Sequence, residues 1–155
     1  MNARKWIIIS GLTWLVVGSM LMVKGLKWII QSMTVEPAAL IQWLSKLAGS
    51  PSQGALALIC IALLIGFIKG RMVLSKTVQR VVSRLRSLPA SIRLSEAYDR
   101  RYVILLGSMM LLGLLFRFLP IGPDIRGGID VAIGSALING AMLYFREAIM
   151  PSKAT

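Results

Sequence analysis

The polar side chains best placed to act on a ligand lie within one late apolar run of the chain. Ser135 and Asn139 are four residues apart, so they share one face of a helix. Ala132, Ala136 and Gly140 repeat this spacing beside them, and small residues so spaced let helices approach closely in lipid. An amide in hydrocarbon needs a partner, so Asn139 must face protein or water. Two interpretations stay open: this face packs against another helix, or it lines a path near mid-membrane.

Charged residues precede this run and form a second candidate site, made of Arg117, Asp124, Arg126 and Asp130. Asp130 is able to cap the following helix or to pair with Arg126 one turn earlier. Arg117 lies about 22 Å along a helix from Tyr102, at about 1.5 Å per residue, close to the outer boundary where it can snorkel. These residues are either caps with one ion pair or the outer vestibule of a path.

The middle of the chain, residues 69–101, carries nine Lys or Arg residues and two acids, Glu96 and Asp99. Leu74, Val78 and Val82 keep helical spacing, which predicts a basic amphipathic helix that ends near Pro89. Its cationic face consists of Lys76, Arg80, Arg84 and Arg86. This face is either a solvated surface set by the positive-inside rule or a contact for anionic lipid or an acidic partner.

Several kinds of chemistry have no residues to support them. The chain has no histidine and one cysteine, Cys60, and it lacks nucleophile-elbow, Walker and dinucleotide-binding motifs. Two aspartates without histidine or a nearby third acid make a poor metal site. We therefore expect no enzyme, no metal and no cofactor. The net charge of +12 lies beside apolar runs and not on a soluble surface, so we expect no nucleic-acid partner.

The elements that must position these residues are membrane helices. Hydrophobic residues make up 56% of the chain and charged residues 15%, against about 25% charged in soluble domains. The sequence predicts an all-α, polytopic membrane protein, a single domain over residues 1–155. Four spans, at about 6–24, 54–69, 102–119 and 129–146, form two hairpins joined by the cytoplasmic linker 70–101. The second apolar run, residues 54–68, is short at 15 residues against the roughly 20 needed to span.

Two further patterns concern how the helices pack. Gly11, Gly18 and Gly25 are seven residues apart, which predicts a close helix contact on one face. In the first connection, an apolar stripe predicts a short amphipathic surface helix that stops near Gly49 and Pro51. The stripe consists of Leu40, Ile41, Leu44 and Leu47.

The two halves of the chain also resemble each other. Residues 54–68 align with residues 128–142, and five of these fifteen positions match. Residues 5–11 align with residues 101–107 without a gap. A duplication would give a parallel two-helix repeat related by an axis along the membrane normal. Apolar segments also match by accident, so both explanations stay open.

The distribution of basic residues predicts the orientation of the chain in the membrane, and the helix pattern suggests two functions. Basic residues number 13 on the side of the two termini and the linker and five on the other side, which predicts cytoplasmic termini in the cell inner (plasma) membrane. Our leading hypothesis is a small transport or channel protein that acts as a homo-oligomer, with the solute unidentified. The alternative is a non-transporting scaffold or accessory subunit of a larger membrane complex. The expected partners are the bilayer, anionic lipids and further copies or other membrane subunits.

Overall fold

The described part of the chain is helical and contains no strand. The computed structural model describes residues 3–34, 38–87 and 120–149, and positions 104, 107, 111, 115 and 118. Its helices are α1 (Ala3–Ser32), α2 (Ala39–Ala48), α3 (Pro51–Lys69), a π-helical turn (Gly70–Leu74), α4 (Ser75–Ser87) and α5 (Pro123–Ile149). The predicted all-α class is therefore confirmed for these residues.

Three of the described helical stretches are long and apolar enough to cross a membrane: Arg4–Ser32, Pro51–Arg84 and Pro123–Ile149. They contain the first, second and fourth predicted spans, and each extends beyond the predicted bounds. The third predicted span, 102–119, lies mostly outside the described residues. Its five described positions are helical and exposed. These helices suit a multi-pass membrane protein, while the count of four spans stays a prediction.

Glycines set the distance between α1 and α5. A Cβ added to Gly25 would lie 2.7 Å from the carbonyl oxygen of Gly127, and one added to Gly134 would lie 2.7 Å from that of Gly18. Such a separation is too short for any side chain, so the two backbones touch directly. The predicted close contact of the glycine face of α1 is thereby confirmed. Residue numbers rise along α1 as they fall along α5, so the two helices are antiparallel.

The contact between α1 and α5 keeps a seven-residue period. On α5, Gly127 lies against Gly25, Gly134 lies against Gly18, and Tyr144 and Phe145 lie against Gly11. A seven-residue repeat holds one seam over many turns when two helices wind around each other. Between the small residues, Trp14 and Tyr144 are buried with ring centroids 6.4 Å apart. Small and large residues thus alternate along the seam.

The opposite side of α5 packs against α3 and the π turn. Gly66 lies against the backbone of Ala132, and a Cβ on Gly70 would lie 2.7 Å from the Cα of Ala136. Numbers rise together on the two helices, so α3 and α5 are parallel. Helix α5 lies between α1 and α3, which touch each other little. The first predicted hairpin, made of the spans 6–24 and 54–69, is therefore not a packed pair by itself.

A single ridge with four-residue spacing runs through α3, the π turn and α4. Its members are all buried: Gly54, Leu58, Ala62, Gly66, Gly70, Leu74, Val78 and Val82. In a regular α-helix, four residues rotate by about 40° more than one full turn, so a ridge with four-residue spacing drifts around the helix axis. A π turn holds more residues per turn and corrects this drift midway. The ridge therefore stays against the bundle across both halves.

The alignment of the two halves is not reproduced by the packing. That alignment pairs Gly66 with Gly140, but Gly66 lies against Ala132 and Ser135, and Gly140 lies against Leu74. A two-fold axis between α3 and α5 would place aligned residues at the same level. The observed register differs from this, so the repeat stays unconfirmed.

The short amphipathic helix in the first connection is present as α2. Ile41 is buried, while Leu47 is 75% exposed, so its stripe is narrower than predicted. The predicted stop is confirmed, because Gly49 has φ 96° and its N–H donates to the carbonyl of Ser45. Helix α2 packs against the start of α3, where a Cβ on Gly54 would lie 2.8 Å from the carbonyl oxygen of Ile41.

We predict that Gly18→Leu lowers the free energy of unfolding by about 1–3 kcal/mol, because the new side chain forces α1 away from α5. Thermal unfolding in detergent, followed by circular dichroism, measures the change. Ser19→Leu is the matched control, since Ser19 is the exposed next residue. Equal stability of the two variants would contradict the tight glycine seam.

Candidate functional site

The polar face of α5 is used within the protein. Asn139 is half-buried, and its Nδ2 donates to the carbonyl oxygen of Ser135 one turn earlier, at 2.9 Å. The hydroxyl of Ser135 donates to the carbonyl oxygen of Leu63 on α3, at 3.3 Å. The amide therefore has a partner in its own helix, and the serine links two helices. Both bonds meet the requirement that polar groups in hydrocarbon be satisfied.

The small residues of this face lie on the same contact. Ala136 faces Gly70, and a Cβ on Gly140 would lie 3.0 Å from Leu74. Ser135, Ala136 and Gly140 thus lie on the side of α5 that packs against α3 and the π turn, while Asn139 bonds within its own helix. The two interpretations, helix packing and a path near mid-membrane, both stay predictions.

Asp124, from the second predicted site, is fully buried and caps another helix. Its Oδ2 accepts hydrogen bonds from the backbone N–H groups of Leu40 at 2.8 Å and Ile41 at 3.3 Å. Its Oδ1 accepts from the N–H of Ile125 at 2.8 Å. Free N–H groups at a helix start favour a carboxylate. A residue of α5 therefore ties the surface helix α2 to the bundle.

The other members of this group join α5 to α1. Asp130 forms an ion pair with Lys24 at 3.1 Å, and the guanidinium of Arg126 lies 5.8 Å from the ring centre of Trp28. The prediction that Asp130 caps the fourth helix is wrong, because that helix begins two turns earlier at Pro123. Arg117 lies outside the described residues.

The described residues contain no group of three His, Cys, Asp or Glu side chains that could hold a metal ion. Asp124 and Asp130 have different partners on different helices. Their contacts are those of a cap and an ion pair, and they join α1, α2 and α5 at one end of the bundle.

The basic amphipathic helix predicted in the middle of the chain corresponds to α4. Its apolar stripe packs against the first turns of α1 and the last turns of α5, in a cluster that includes Trp6, Ile7 and Tyr144. Its cationic residues face outward. Lys76, Arg80 and Arg84 are exposed, and the side chain of Arg86 lies outside the described residues. The contact with anionic lipid stays a prediction.

Some contacts were missed from the sequence although a signal existed. Gly66 and Gly70 form a small-x-x-x-small pair, a pattern typical of close membrane-helix contacts. Gly127 and Gly134 repeat the seven-residue spacing of the glycines in α1. The link from Asp124 to α2 has no such signal, because its partners are backbone groups more than 80 positions away.

No protein-family model, curated protein or solved structure matches this chain. The function is therefore inferred from the packing, the polar contacts and the charge distribution.

We predict that Asp124→Ala costs about 2 kcal/mol of stability, because it leaves buried N–H groups of α2 without an acceptor. Hydrogen exchange at Leu40 and Ile41 should become faster than in the unaltered protein. Asp130→Asn is the control. Its pair with Lys24, whose side chain is 54% exposed, is worth about 1 kcal/mol or less and leaves α2 unchanged. Unaltered exchange in the Asp124 variant would contradict the cap.

Proposed function

We propose that this chain is a four-span membrane protein, with both termini and α4 on the cytoplasmic side, that acts as a non-transporting scaffold or accessory subunit. The non-transporting role rests on the observation that the polar groups of α5 bond within the protein. Ser135 bonds to α3, Asn139 bonds within its own helix, and Asp124 caps α2. Little polar surface on this central helix is left for a solute.

The relative directions of the helices support an additional crossing. Helices α3 and α5 are parallel neighbours, so both begin on the same side of the bilayer. A chain that leaves α3 through α4 has to return to that side before Pro123. The apolar run 102–119 is long enough for this return, since a spanning helix needs about 20 residues. This reasoning favours four spans and an even count.

The distribution of charge supports the orientation. At the end of the bundle formed by the start of α1, by α4 and by the end of α5, the described residues include six basic side chains and one acid. These are Arg4, Lys5, Lys76, Arg80, Arg84, Arg146 and Glu147. At the opposite end they include four basic side chains and two acids, namely Lys24, Lys27, Lys46, Arg126, Asp124 and Asp130. The more basic end favours the cytoplasm.

Two exposed surfaces suit a partner. At the outer end, α2 presents Trp43 and Leu47, which are 63% and 75% exposed. At the cytoplasmic end, α4 presents its cationic face to water and headgroups. Tryptophan and arginine side chains are enriched in protein interfaces. A scaffold held rigidly by its glycine seams would keep both surfaces in fixed positions.

The second candidate, a homo-oligomeric channel, is favoured by one observation. Lys69 and Arg71 are exposed although Gly70, between them, packs against Ala136 at the midpoint of α5. Cationic side chains at this depth usually face protein or a water-filled space. Several copies arranged around this face would give a cationic passage suited to anions.

We predict that vesicles containing the purified protein show no more chloride or potassium flux than empty vesicles, because the described bundle leaves α5 little polar surface. Ion-sensitive dyes measure the flux. Lys69→Gln/Arg71→Gln separates the two candidates: flux in the unaltered protein that this variant abolishes would contradict the scaffold and favour the channel. Stoichiometric co-purification of a different protein in mild detergent is the positive result expected of a scaffold.

We predict that cysteines placed at Ser52 and Ser83, in a chain with Cys60→Ser, react from opposite sides of the membrane. Both positions are exposed, at the start of α3 and on α4. A membrane-impermeant maleimide should label the Ser52→Cys variant in intact cells and the Ser83→Cys variant only after permeabilisation. Labelling of both variants in intact cells would contradict the proposed orientation.

A further inference from the structure

A polar cavity lies between the π turn, α4 and the last turns of α5. Its volume is about 290 Å³, and its polar lining consists of Arg71, Ser75, Gln79, Arg146 and Glu147. This is near the lower limit of about 300 Å³ for small-ligand pockets, a size suited to a compact group. None of its residues belongs to the two sites predicted near the start and middle of α5.

The charges of this lining favour a monoanion. Two guanidinium groups and one carboxylate give a net charge of +1, which balances the single charge of a phosphodiester better than the charge of about −2 on a phosphate monoester. The guanidinium fork of Arg71 and that of Arg146 match phosphate oxygens in geometry. Ser75 and Gln79 add neutral hydrogen-bond donors.

The surroundings of the cavity favour a ligand with an apolar part. Val78 and Leu143 complete its lining. Met72, next to Arg71, is 68% exposed, and Met142, one turn before Arg146, is 62% exposed. Apolar side chains thus face outward on both elements that carry the arginines. A ligand with its charge between the arginines and its chains along these methionines would satisfy both kinds of surface.

The depth of the cavity agrees with a ligand that has a charged headgroup and apolar chains. Arg146 lies three residues before the end of α5, next to the basic end formed by α1, α4 and α5. Arg71 starts nearer the middle of the bundle and lines the same cavity, so its long side chain extends toward that end. Basic pockets between membrane helices on the cytoplasmic side are suited to phospholipid headgroups.

We propose that this cavity binds the headgroup of an anionic glycerophospholipid, with the phosphodiester between Arg71 and Arg146 and the acyl chains along the outer faces of the π turn and α5. This site differs from the exposed cationic face of α4, whose attraction for anionic lipid would be diffuse. The inference goes beyond the scaffold role. It rests on the membrane location of the bundle and not on any protein partner.

The test is native mass spectrometry of the detergent-purified full chain, with equal amounts of phosphatidylglycerol and phosphatidylcholine. At high ionic strength the screening length falls to about 3 Å, so diffuse attraction is suppressed. The unaltered protein should retain one phosphatidylglycerol molecule in preference to phosphatidylcholine. The double variant Arg71→Gln/Arg146→Gln should bind it about thirtyfold more weakly, from the loss of two cations.

A matched pair of variants separates a built site from general charge. Lys76→Gln/Arg80→Gln removes the same charge from the exposed face of α4 and should change retention less than about threefold under this screening. Arg71→Lys/Arg146→Lys keeps the charge without the guanidinium forks, and should bind more tightly than the glutamine variant and more weakly than the unaltered protein. Circular dichroism melting checks that each variant is folded.

Three results would overturn the inference. The first is the absence of any preference of the unaltered protein for phosphatidylglycerol over phosphatidylcholine. The second is an equal loss of retention in the Arg71/Arg146 and Lys76/Arg80 variants. The third is competition by soluble glycerol phosphate at concentrations that match the lipid, which would assign the cavity to a free anion. Because the assay needs neither a partner nor a bilayer orientation, failure of the scaffold proposal leaves it unaffected.

Discussion

The bundle depends on how closely α5 approaches the helices on its two sides. Lipid gives little drive for apolar side chains to leave it, so membrane helices associate largely through close van der Waals contact. Here Gly18 and Gly134 bring the backbones of α1 and α5 together, and Gly66 and Gly70 do the same for α3. A side chain at any of these positions would separate the helices. A side chain at these four glycines therefore requires the helices to shift.

This central position of α5 determines what its polar residues can do. A serine or asparagine on a helix that touches protein on two sides is more available for packing than for a solute. Ser135 accordingly bonds across to α3, and Asp124 bonds across to α2. The remaining charges lie toward the two ends of α5 or outside it. The groups better placed to bind a ligand or partner lie at the surface, in the cavity between the π turn, α4 and α5 and on the cationic face of α4.

The helices continue beyond the predicted spans for a physical reason. The predicted spans are runs of uncharged residues that end at Lys24 or Lys69. In the structure α1 continues past Lys24 to Ser32, because Asp130 gives that lysine a partner. The chain likewise stays helical beyond Lys69, through the π turn and α4, because the buried ridge continues on one side. Charge on one face does not end a helix whose other face is packed.

The sequence by itself determined the helical class, the apolar stretches long enough for a membrane, the glycine face of α1 and the cationic face of α4. Each of these is a local property, readable from composition and from spacing along one helix. Only the tertiary structure decided that α5 lies between α1 and α3, that Asp124 caps α2, and that two arginines distant in sequence share one cavity. These depend on which faces meet and in which register. Several helices of this chain carry a face of small residues, and these faces could pair in more than one arrangement. The spacing of residues within one helix does not determine which faces pair.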